Sequence, residues 1–320
     1  MLQRPTLLLT TNLHRPSADP NWVARPELLA HLQRGLTHKL ILLSAPPGFG
    51  KTTLVSQWLV SGSTPVAWVV LDGGDNQLIQ FLRYLIAAVH TCVPAACPTT
   101  QRLLAATALP PADYLVDSLL SELTALTSEL VLVLDDYHLI RASEVHQILR
   151  HLLRYLPPQL HLVILTRIDP PLNLGRWRIE QQVLELRASD LRFAPTETRR
   201  FLQHRVSQPL DDEVLQTLHT RTEGWITGLQ LASISLQSQD ARQFLAHFRG
   251  NDRLIGHVAD QPARLGVLVQ IYSLGFLILS VACLAEGDAV RGFRQLYDFL
   301  VNYICKILCY MSLFWSFLWK

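Results

Sequence analysis

The sequence predicts an α/β fold, in which a parallel sheet flanked by helices is followed by a helical domain and an atypical hydrophobic, helical C-terminal segment. Short apolar runs alternate with helical patterns up to residue 193, which is typical of a parallel sheet. After Leu191 the apolar runs stop and three helix-like stretches follow. From His257 onward, the chain holds eleven of its 26 aromatic residues and three of its five cysteines. The expected domains are an N-terminal arm (residues 1–38), a domain that contains the sheet (39–193), a helical domain (194–250) and the hydrophobic segment (251–320).

The composition excludes several classes of protein. The 28 Lys and Arg residues nearly balance the 26 Asp and Glu residues, and only 17% of the chain is charged. This balance leaves no electrostatic footprint of DNA binding and is not that of a disordered chain. The five cysteines form no CxxC pair, so neither a disulfide framework nor a zinc site is expected. No signal-peptide pattern follows Met1, and the expected location is the cytoplasm.

Five strands and seven helices are expected up to residue 236. The strand segments are almost entirely apolar, which indicates that both faces of each strand are buried. These segments are residues 39–44, 66–71, 130–134, 161–166 and 182–186. Helices are expected between them at 52–60, 77–89, 112–125 and 143–155, and after them at 195–206, 211–220 and 224–236.

A glycine-rich loop with the sequence APPGFGKTT, residues 45–53, lies between the first strand and the first of these helices. This segment is a predicted phosphate-binding loop. Gly48 and Gly50 allow the backbone to wrap so that consecutive N–H groups face a polyphosphate. Lys51 can reach the β- and γ-phosphates, and the hydroxyl of Thr52 is a hard oxygen ligand suited to Mg²⁺. Ala45 replaces the first glycine of the usual pattern and is small enough for the loop to form. The candidate cofactor-binding residues of the loop are Pro47, Gly48, Phe49, Gly50, Lys51, Thr52 and Thr53.

Two acidic residues end the strand LVLVLDD, at the edge of the sheet where ligands of parallel α/β proteins bind. Asp135 is expected to hold Mg²⁺ through water, together with Thr52. Asp136 is the candidate catalytic residue that orients or deprotonates the attacking water. The alternative for Asp136 is a turn residue without a catalytic role, because acids often follow strands.

Arg167 follows the next strand along the chain, in the sequence LTR. An arginine at this edge can contact the γ-phosphate and respond to its loss, which makes Arg167 the second candidate catalytic residue. The alternative is a surface arginine that pairs with any nearby carboxylate.

Seven segments together resemble the signal-transduction ATPases with numerous domains (STAND), specifically the large ATP-binding LuxR-type transcriptional regulators of the maltose-activator type. The segments are VARPELL (23–29), KLILLSAPPGFGKTTL (39–54), VAWVVLDGGDN (66–76), LVLDDYHLI (132–140), LVILTRIDPPL (162–172), LELRASDLRF (184–193) and TEGWITGLQLA (222–232). The resemblance covers residues 8 to 256 and does not extend into the last quarter of the chain.

The resemblance implies an AAA-like P-loop domain that binds ATP, rather than GTP, together with Mg²⁺. It also implies a helical lid at residues 193–236. It implies that the strand before Arg167 lies between the two strands that carry the phosphate-binding loop and Asp135. It also implies that Val23 and Arg25, in the N-terminal arm, border the adenine. Members of this family are switches that hydrolyse ATP slowly, self-associate and respond to an inducer, which is unknown here.

The last quarter of the chain has three open interpretations. In the first interpretation, residues 262–302 are a remnant of the family's helical-repeat arm. One uncharged helix would span residues 265–285, and a second helix would follow it at 289–302. A membrane span over 265–285 is long enough but is disfavoured by its polar residues and balanced flanking charges. A truncated or shifted reading frame is the third interpretation. The segment shows no basic recognition helix, so no direct DNA binding is expected from this chain.

Three functions compete at this point. The motif string favours a regulatory ATP switch module of a LuxR-type transcriptional regulator. The alternatives are a stand-alone P-loop ATPase and an ATP-binding scaffold that does not hydrolyse. The sequence shows no second substrate site or nucleophile motif that would support a stand-alone enzyme.

Overall fold

Five parallel strands form one sheet at the centre of the part of the chain that the structure describes. The structure is a computed structural model and describes residues 8–248, except for residues 18, 20–21, 61, 238–240, 242–243 and 246–247. The strands are β1 (Leu40–Ser44), β2 (Val66–Val70), β3 (Leu130–Asp135), β4 (Leu160–Thr166) and β5 (Val183–Arg187). Their order in the sheet is β2-β3-β4-β1-β5. This order confirms that the strand before Arg167 lies between the strands that carry the phosphate-binding loop and Asp135.

Eleven α-helices lie among the described residues. Those that precede or alternate with the strands are α1 (Pro26–Arg34), α2 (Lys51–Val60), α3 (Leu78–Cys92), α4 (Pro98–Ala105), α5 (Ala112–Thr124), α6 (Ser143–Arg154), α7 (Gly175–Ile179) and α8 (Ala188–Leu191). The lid follows with α9 (Pro195–Arg205), α10 (Asp212–Thr222) and α11 (Ile226–Ser235). The seven expected helices are thus confirmed to within a few residues at their ends, whereas α1, α4 and the two short helices α7 and α8 were not expected.

The alternation of side chains along each strand divides the core into two layers. Leu40 and Leu42 of β1 point into the layer that contains helices α3 to α6, whereas Ile41 and Leu43 point into the layer that contains α1 and α2. All residues of β1, β3 and β4 are buried, because these three strands have neighbours on both sides and helices on both faces. The expectation of strands with two buried faces is confirmed for these central strands. It is wrong for the edge strand β5, in which only Leu186 is buried, because β5 has a neighbour on one side only.

The lid has a core of its own, which holds its helices together independently of the sheet. Phe193, Leu202, Leu218 and Leu229 are buried there, one from the entrance to the lid and one from each of its three helices. Phe193 and Phe201 pack edge to face with ring centroids 5.6 Å apart. Val23 of the N-terminal arm is buried in the same core, so the arm packs together with the lid.

The register of the sheet brings the ends of its central strands to one edge. Ser44 pairs with Thr166, and Val70 pairs with Asp135. The phosphate-binding loop, the two acidic residues and Arg167 therefore leave the sheet on the same side, as ligand sites of parallel α/β sheets do.

Two expectations of the sequence analysis lie wholly or mainly outside the described residues. Both the interpretations of residues 251–320 and the expected absence of DNA binding concern that segment, and they stay predictions. Within the described residues, no helix is both long enough and apolar enough to cross a membrane.

Candidate nucleotide-binding site

The phosphate-binding loop joins the buried strand β1 to the first turn of α2. Gly48 and Gly50 adopt the left-handed backbone region, with φ of 78° and 72°. Glycine occupies this region without steric cost, which explains both positions. The N–H groups of Gly48, Phe49 and Gly50 donate to no acceptor within the described part of the chain. These donors, at the N-terminus of a helix, are therefore available to an anionic ligand.

Lys51, the first residue of α2, is buried, and its side chain folds back over the loop. Its Nζ donates hydrogen bonds to the carbonyl oxygens of Ala45, at 2.7 Å, and Pro46, at 3.1 Å. Burial lowers the pKa of this ammonium group, while the negative charges of Asp136 and Asp135 act in the opposite direction. Lys51 carries the only charge of the loop, and two carbonyl groups hold its ammonium group in place. A phosphate can replace these carbonyl groups as the hydrogen-bond partners of Lys51.

Thr52 and Asp135 meet beside the loop. The Thr52 Oγ1 donates to Oδ2 of Asp135 at 3.0 Å, and the backbone N–H of Asp136 donates to Oδ1 at 2.9 Å. Burial raises the pKa of the Asp135 carboxyl to about 7, and the adjacent charge of Asp136 adds to this effect. A buried carboxylate beside a hydroxyl is a hard oxygen donor set that gains from a divalent cation. These two residues therefore fit Mg²⁺.

Asp136 has a different environment from its neighbour. Its backbone is left-handed, with φ of 55° and ψ of 35°, and this turn separates its side chain from that of Asp135. The Asp136 side chain is 42% exposed, and its Oδ1 lies 3.7 Å from Nδ1 of His138. Since Asp135 is only 4% exposed, the two adjacent acids divide into a buried carboxyl and one that water can reach.

Arg167 leaves the sheet at the same edge, directly after Thr166, and its side chain is exposed. Its positive charge is close enough to Lys51 to lower the pKa of that ammonium group. Its guanidinium forms no ion pair with any carboxylate among the described residues, which argues against the alternative of a paired surface arginine. By contrast, Arg178 and Arg187 in the following segment share Asp169 and Glu185.

Val23 and Arg25 lie where the N-terminal arm meets the lid and α2. The Val23 carbonyl accepts a hydrogen bond from Gln57 of α2 at 3.1 Å. The Arg25 guanidinium is buried and bound to the entrance of the lid: it donates to the carbonyl of Leu191 at 2.9 Å and to Glu197 Oε1 at 3.0 Å. Arg25 therefore ties the arm to the lid, and an adenine contact by these two residues stays a prediction.

Three residues of the site were not recognised from the sequence. Trp225 packs against the layer around α2, and its Nε1 donates to the Pro47 carbonyl at 3.3 Å. The Thr227 Oγ1 donates to the Gly48 carbonyl at 3.1 Å. Asn76, after β2, donates to the carbonyl of Leu139 and accepts from the N–H of Ala142, which fixes the loop after Asp136. The only sequence signal was their presence in motifs at the ends of elements.

Comparison with known protein families identifies the part of the chain that contains the phosphate-binding loop and most of the sheet. Residues 22–165 match a family model described as an AAA ATPase domain. This match covers strands β1 to β3 and nearly all of β4, including the phosphate-binding loop, Asp135 and Asp136.

Two curated relatives are HTH-type transcriptional regulators called MalT. The chain is 37% identical to the protein of Cronobacter sakazakii over 229 residues, which is 72% of this chain and 25% of that protein. It is 35% identical to the protein of Yersinia pestis over 263 residues, which is 80% of this chain and 29% of that protein. The chain thus spans between a quarter and a third of the length of these relatives.

A solved structure with the same fold is a signal-transduction ATPase with numerous domains and a tetratricopeptide repeat sensor, from Pyrococcus horikoshii. The TM-score is 0.52 at 14% sequence identity, and the match covers 76% of this chain and 34% of the other. This similarity extends the agreement on the fold beyond the ATPase domain, since it covers three quarters of the chain.

Proposed function

Because residues 22–165 belong to the AAA ATPase domain family and the chain is related in sequence to the MalT regulators, we propose that it is an ATP-binding, slowly hydrolysing switch module of a transcriptional regulator. The observation that supports this best is the meeting of Lys51, the Thr52–Asp135 pair and Asp136 at one edge of the sheet, in contact with the lid.

The first function of this edge is to bind the polyphosphate of ATP. The N–H groups of Gly48, Phe49 and Gly50 would donate to phosphate oxygens, and Lys51 would exchange its carbonyl partners for the β- and γ-phosphates. Exchange is favourable because a charge-assisted hydrogen bond to a phosphate is stronger than one to a neutral carbonyl. We assign ATP rather than GTP because the matched family is an ATPase family.

Thr52 and Asp135 would hold Mg²⁺, Asp135 through a water molecule. The ion neutralises charge on the β- and γ-phosphate oxygens when it is bound. The Asp135 carboxyl, whose pKa of about 7 reflects its burial, would be held ionised by the cation. The Thr52 hydroxyl, which donates to that carboxyl here, would turn its lone pairs to the ion.

Asp136 and Arg167 would act on the scissile phosphate. The carboxylate of Asp136, which water can reach, can accept a proton from the attacking water or orient it, whereas Asp135 is buried and would serve the cation. Arg167, with no carboxylate partner among the described residues, can stabilise charge that develops on the γ-phosphate. Its proximity to Lys51 is consistent with a shared anionic ligand.

The switch function depends on contact between the nucleotide and the lid. Trp225 and Thr227 bond the same loop that would hold the phosphates, so a change at the phosphates can be passed to the lid. We propose that this change controls self-association and a response to an inducer in the longer regulator. Binding of promoter DNA belongs in this proposal to other parts of that regulator.

Measurement of ATP affinity and turnover on the same preparation tests this proposal. A switch binds ATP and turns over far more slowly than the roughly 1–10³ s⁻¹ that is common for metabolic enzymes. Turnover in that range would support the alternative of a stand-alone ATPase. Binding without any turnover would support the non-hydrolysing scaffold, and a chain that does not bind ATP would refute all three.

A further inference from the structure

The lid holds two consecutive peptide groups of the phosphate-binding loop from outside. The indole Nε1 of Trp225 donates to the Pro47 carbonyl at 3.3 Å. The next carbonyl, that of Gly48, accepts two hydrogen bonds from Thr227, one from the backbone N–H at 3.2 Å and one from Oγ1 at 3.1 Å. Three donors of the lid therefore bind two adjacent carbonyl groups of the loop. Trp225 lies 178 positions after Pro47 in the chain, and Thr227 lies 179 positions after Gly48.

These contacts determine where the N–H groups of the loop point. In a trans peptide, the C=O and N–H bonds point in opposite directions, and the described residues contain no cis peptide. The Pro47 carbonyl shares its peptide group with the N–H of Gly48, and the Gly48 carbonyl shares its group with the N–H of Phe49. Both N–H groups must therefore point away from the lid, and they donate to no acceptor within the described part of the chain.

The lid lies so close to the loop that no room is left for a side chain at Gly48. A Cβ atom at Gly48 would lie 2.3 Å from the Thr227 Oγ1 and 3.0 Å from the Trp225 Nε1. A Cβ atom at Gly50 would lie 2.9 Å from Cδ1 of Ile226. Gly48 is thus required for contact with the lid as well as for the left-handed backbone of the loop, whereas the flexible end of Ile226 could move away from a Cβ atom at position 50.

The path of the chain before α11 brings these donors to the loop. Glu223 and Gly224 both have a left-handed backbone, with φ of 51° and 71°, and turn the chain sharply between α10 and α11. The N–H of Phe193 donates to the Gly224 carbonyl at 2.9 Å, which ties this turn to the start of the lid. The position of Trp225 and Thr227 is therefore fixed by backbone geometry rather than by the loop alone.

We propose that Trp225 and Thr227 are positioning residues for phosphate binding: they hold two peptide groups so that the N–H groups of Gly48 and Phe49 are oriented for the phosphates before the nucleotide arrives. The inference rests on the proposed function, because it names the lid residues on which the affinity of that same site depends. A preoriented loop binds more tightly, because the ligand does not have to order it. The effect acts on the polyphosphate and not on the base.

The test compares phosphate affinity in lid variants of the full chain. Thr227→Val removes the hydroxyl and keeps shape and backbone N–H, and Trp225→Phe removes the indole N–H. Each should weaken ATP binding about three- to tenfold, as expected for loss of one hydrogen bond, and the double variant should weaken it further. Inorganic tripolyphosphate, measured by competition with a fluorescent ATP analogue, should lose affinity by the same factor as ATP.

Two controls separate positioning from folding. Thr227→Ser retains the hydroxyl and should restore the affinity for ATP. Thr217→Val, which removes a hydroxyl bonded within α10, and Trp177→Phe in α7 should leave binding unchanged. The inference is wrong if Thr227→Val and Trp225→Phe bind ATP as the unchanged chain does, or if ATP affinity falls while tripolyphosphate affinity does not. Absence of ATP binding by the unchanged chain would instead refute the proposed function.

Discussion

The hydroxyl of Thr52 donates a hydrogen bond to the carboxylate of Asp135 at 3.0 Å, although 83 residues separate them in the chain. Parallel pairing of β3, β4 and β1 brings the two residues to the same edge of the sheet. The pair supplies the hard oxygen atoms that Mg²⁺ prefers, and it does so beside the ammonium group of Lys51.

Thr52→Val should reduce the dependence of ATP binding on Mg²⁺, because valine has nearly the shape of threonine but no oxygen ligand. ATP affinity measured with Mg²⁺ should approach the affinity measured with a chelator present. The matched control is Ser56→Ala, which removes a buried hydroxyl of the same helix that has no hydrogen-bond partner among the described residues. An unchanged response to Mg²⁺ in Thr52→Val would contradict the assignment of the metal site.

Lys51→Ala should abolish detectable ATP binding, since it removes the only positive charge of the phosphate-binding loop. Titration calorimetry measures this directly. Lys39→Ala is the matched control, because Lys39 precedes β1 at the opposite edge of the sheet. Retention of full ATP affinity by a folded Lys51→Ala variant would refute the nucleotide site.

Asp136→Asn should preserve ATP binding and lower turnover about tenfold or more, within the range known for loss of a general base. Asparagine keeps the shape of the side chain but cannot accept the proton. Binding and turnover are measured on the same sample, so that the binding constant serves as the internal control. Unchanged turnover would make Asp136 a turn residue, and loss of binding would indicate a metal ligand instead.

Gly224→Ala should destabilise the chain by about 1–3 kcal/mol, because alanine is strained at a φ of 71° and the new Cβ would lie 2.3 Å from the carbonyl oxygen of Phe193. Thermal or denaturant unfolding measures the change. Gly175→Ala provides the control, because no atom lies within 4 Å of a Cβ added there and Gly175 has no left-handed backbone. Equal stability of the two variants would show that the turn before Trp225 is not constrained as described.

Asp75 should make the stability of the nucleotide-free chain depend on pH. Burial raises the pKa of its carboxyl from 3.8 to about 6, and one of its oxygens has no hydrogen-bond partner among the described residues. Folding therefore favours the protonated form, and the stabilisation present below pH 4 is lost as the pH rises through about 6. Asp75→Asn removes the ionisable group, so its advantage in melting temperature over the unchanged chain should be larger at pH 7.5 than at pH 4.5.

The exposed Asp113 of α5 provides the control for this measurement. Asp113→Asn should show the same small difference from the unchanged chain at both pH values. If the advantage of Asp75→Asn is independent of pH, then Asp75 is ionised in the folded chain throughout this range.

Much of the fold follows from local patterns in the sequence. The five strands were expected within one or two residues of their observed ends, because short apolar runs between turn residues are typical of the strands of a parallel sheet. The helices α1 and α4 were not expected. Helix α4 has only eight residues and follows Cys97, which has a left-handed backbone, and such short helices depend on packing more than on their own periodicity.

The phosphate-binding loop and the acid at the end of β3 could be predicted from the sequence, since each is a contiguous segment whose chemistry depends on its own residues and on the elements beside it. Only the packed structure shows which distant groups contact that segment. It placed Trp225 and Thr227 on the carbonyl groups of Pro47 and Gly48, and it bound Arg25 to the lid. The physical reason is that a hydrogen bond between residues 178 positions apart depends on the packing of whole elements, which leaves no periodic signal in the chain.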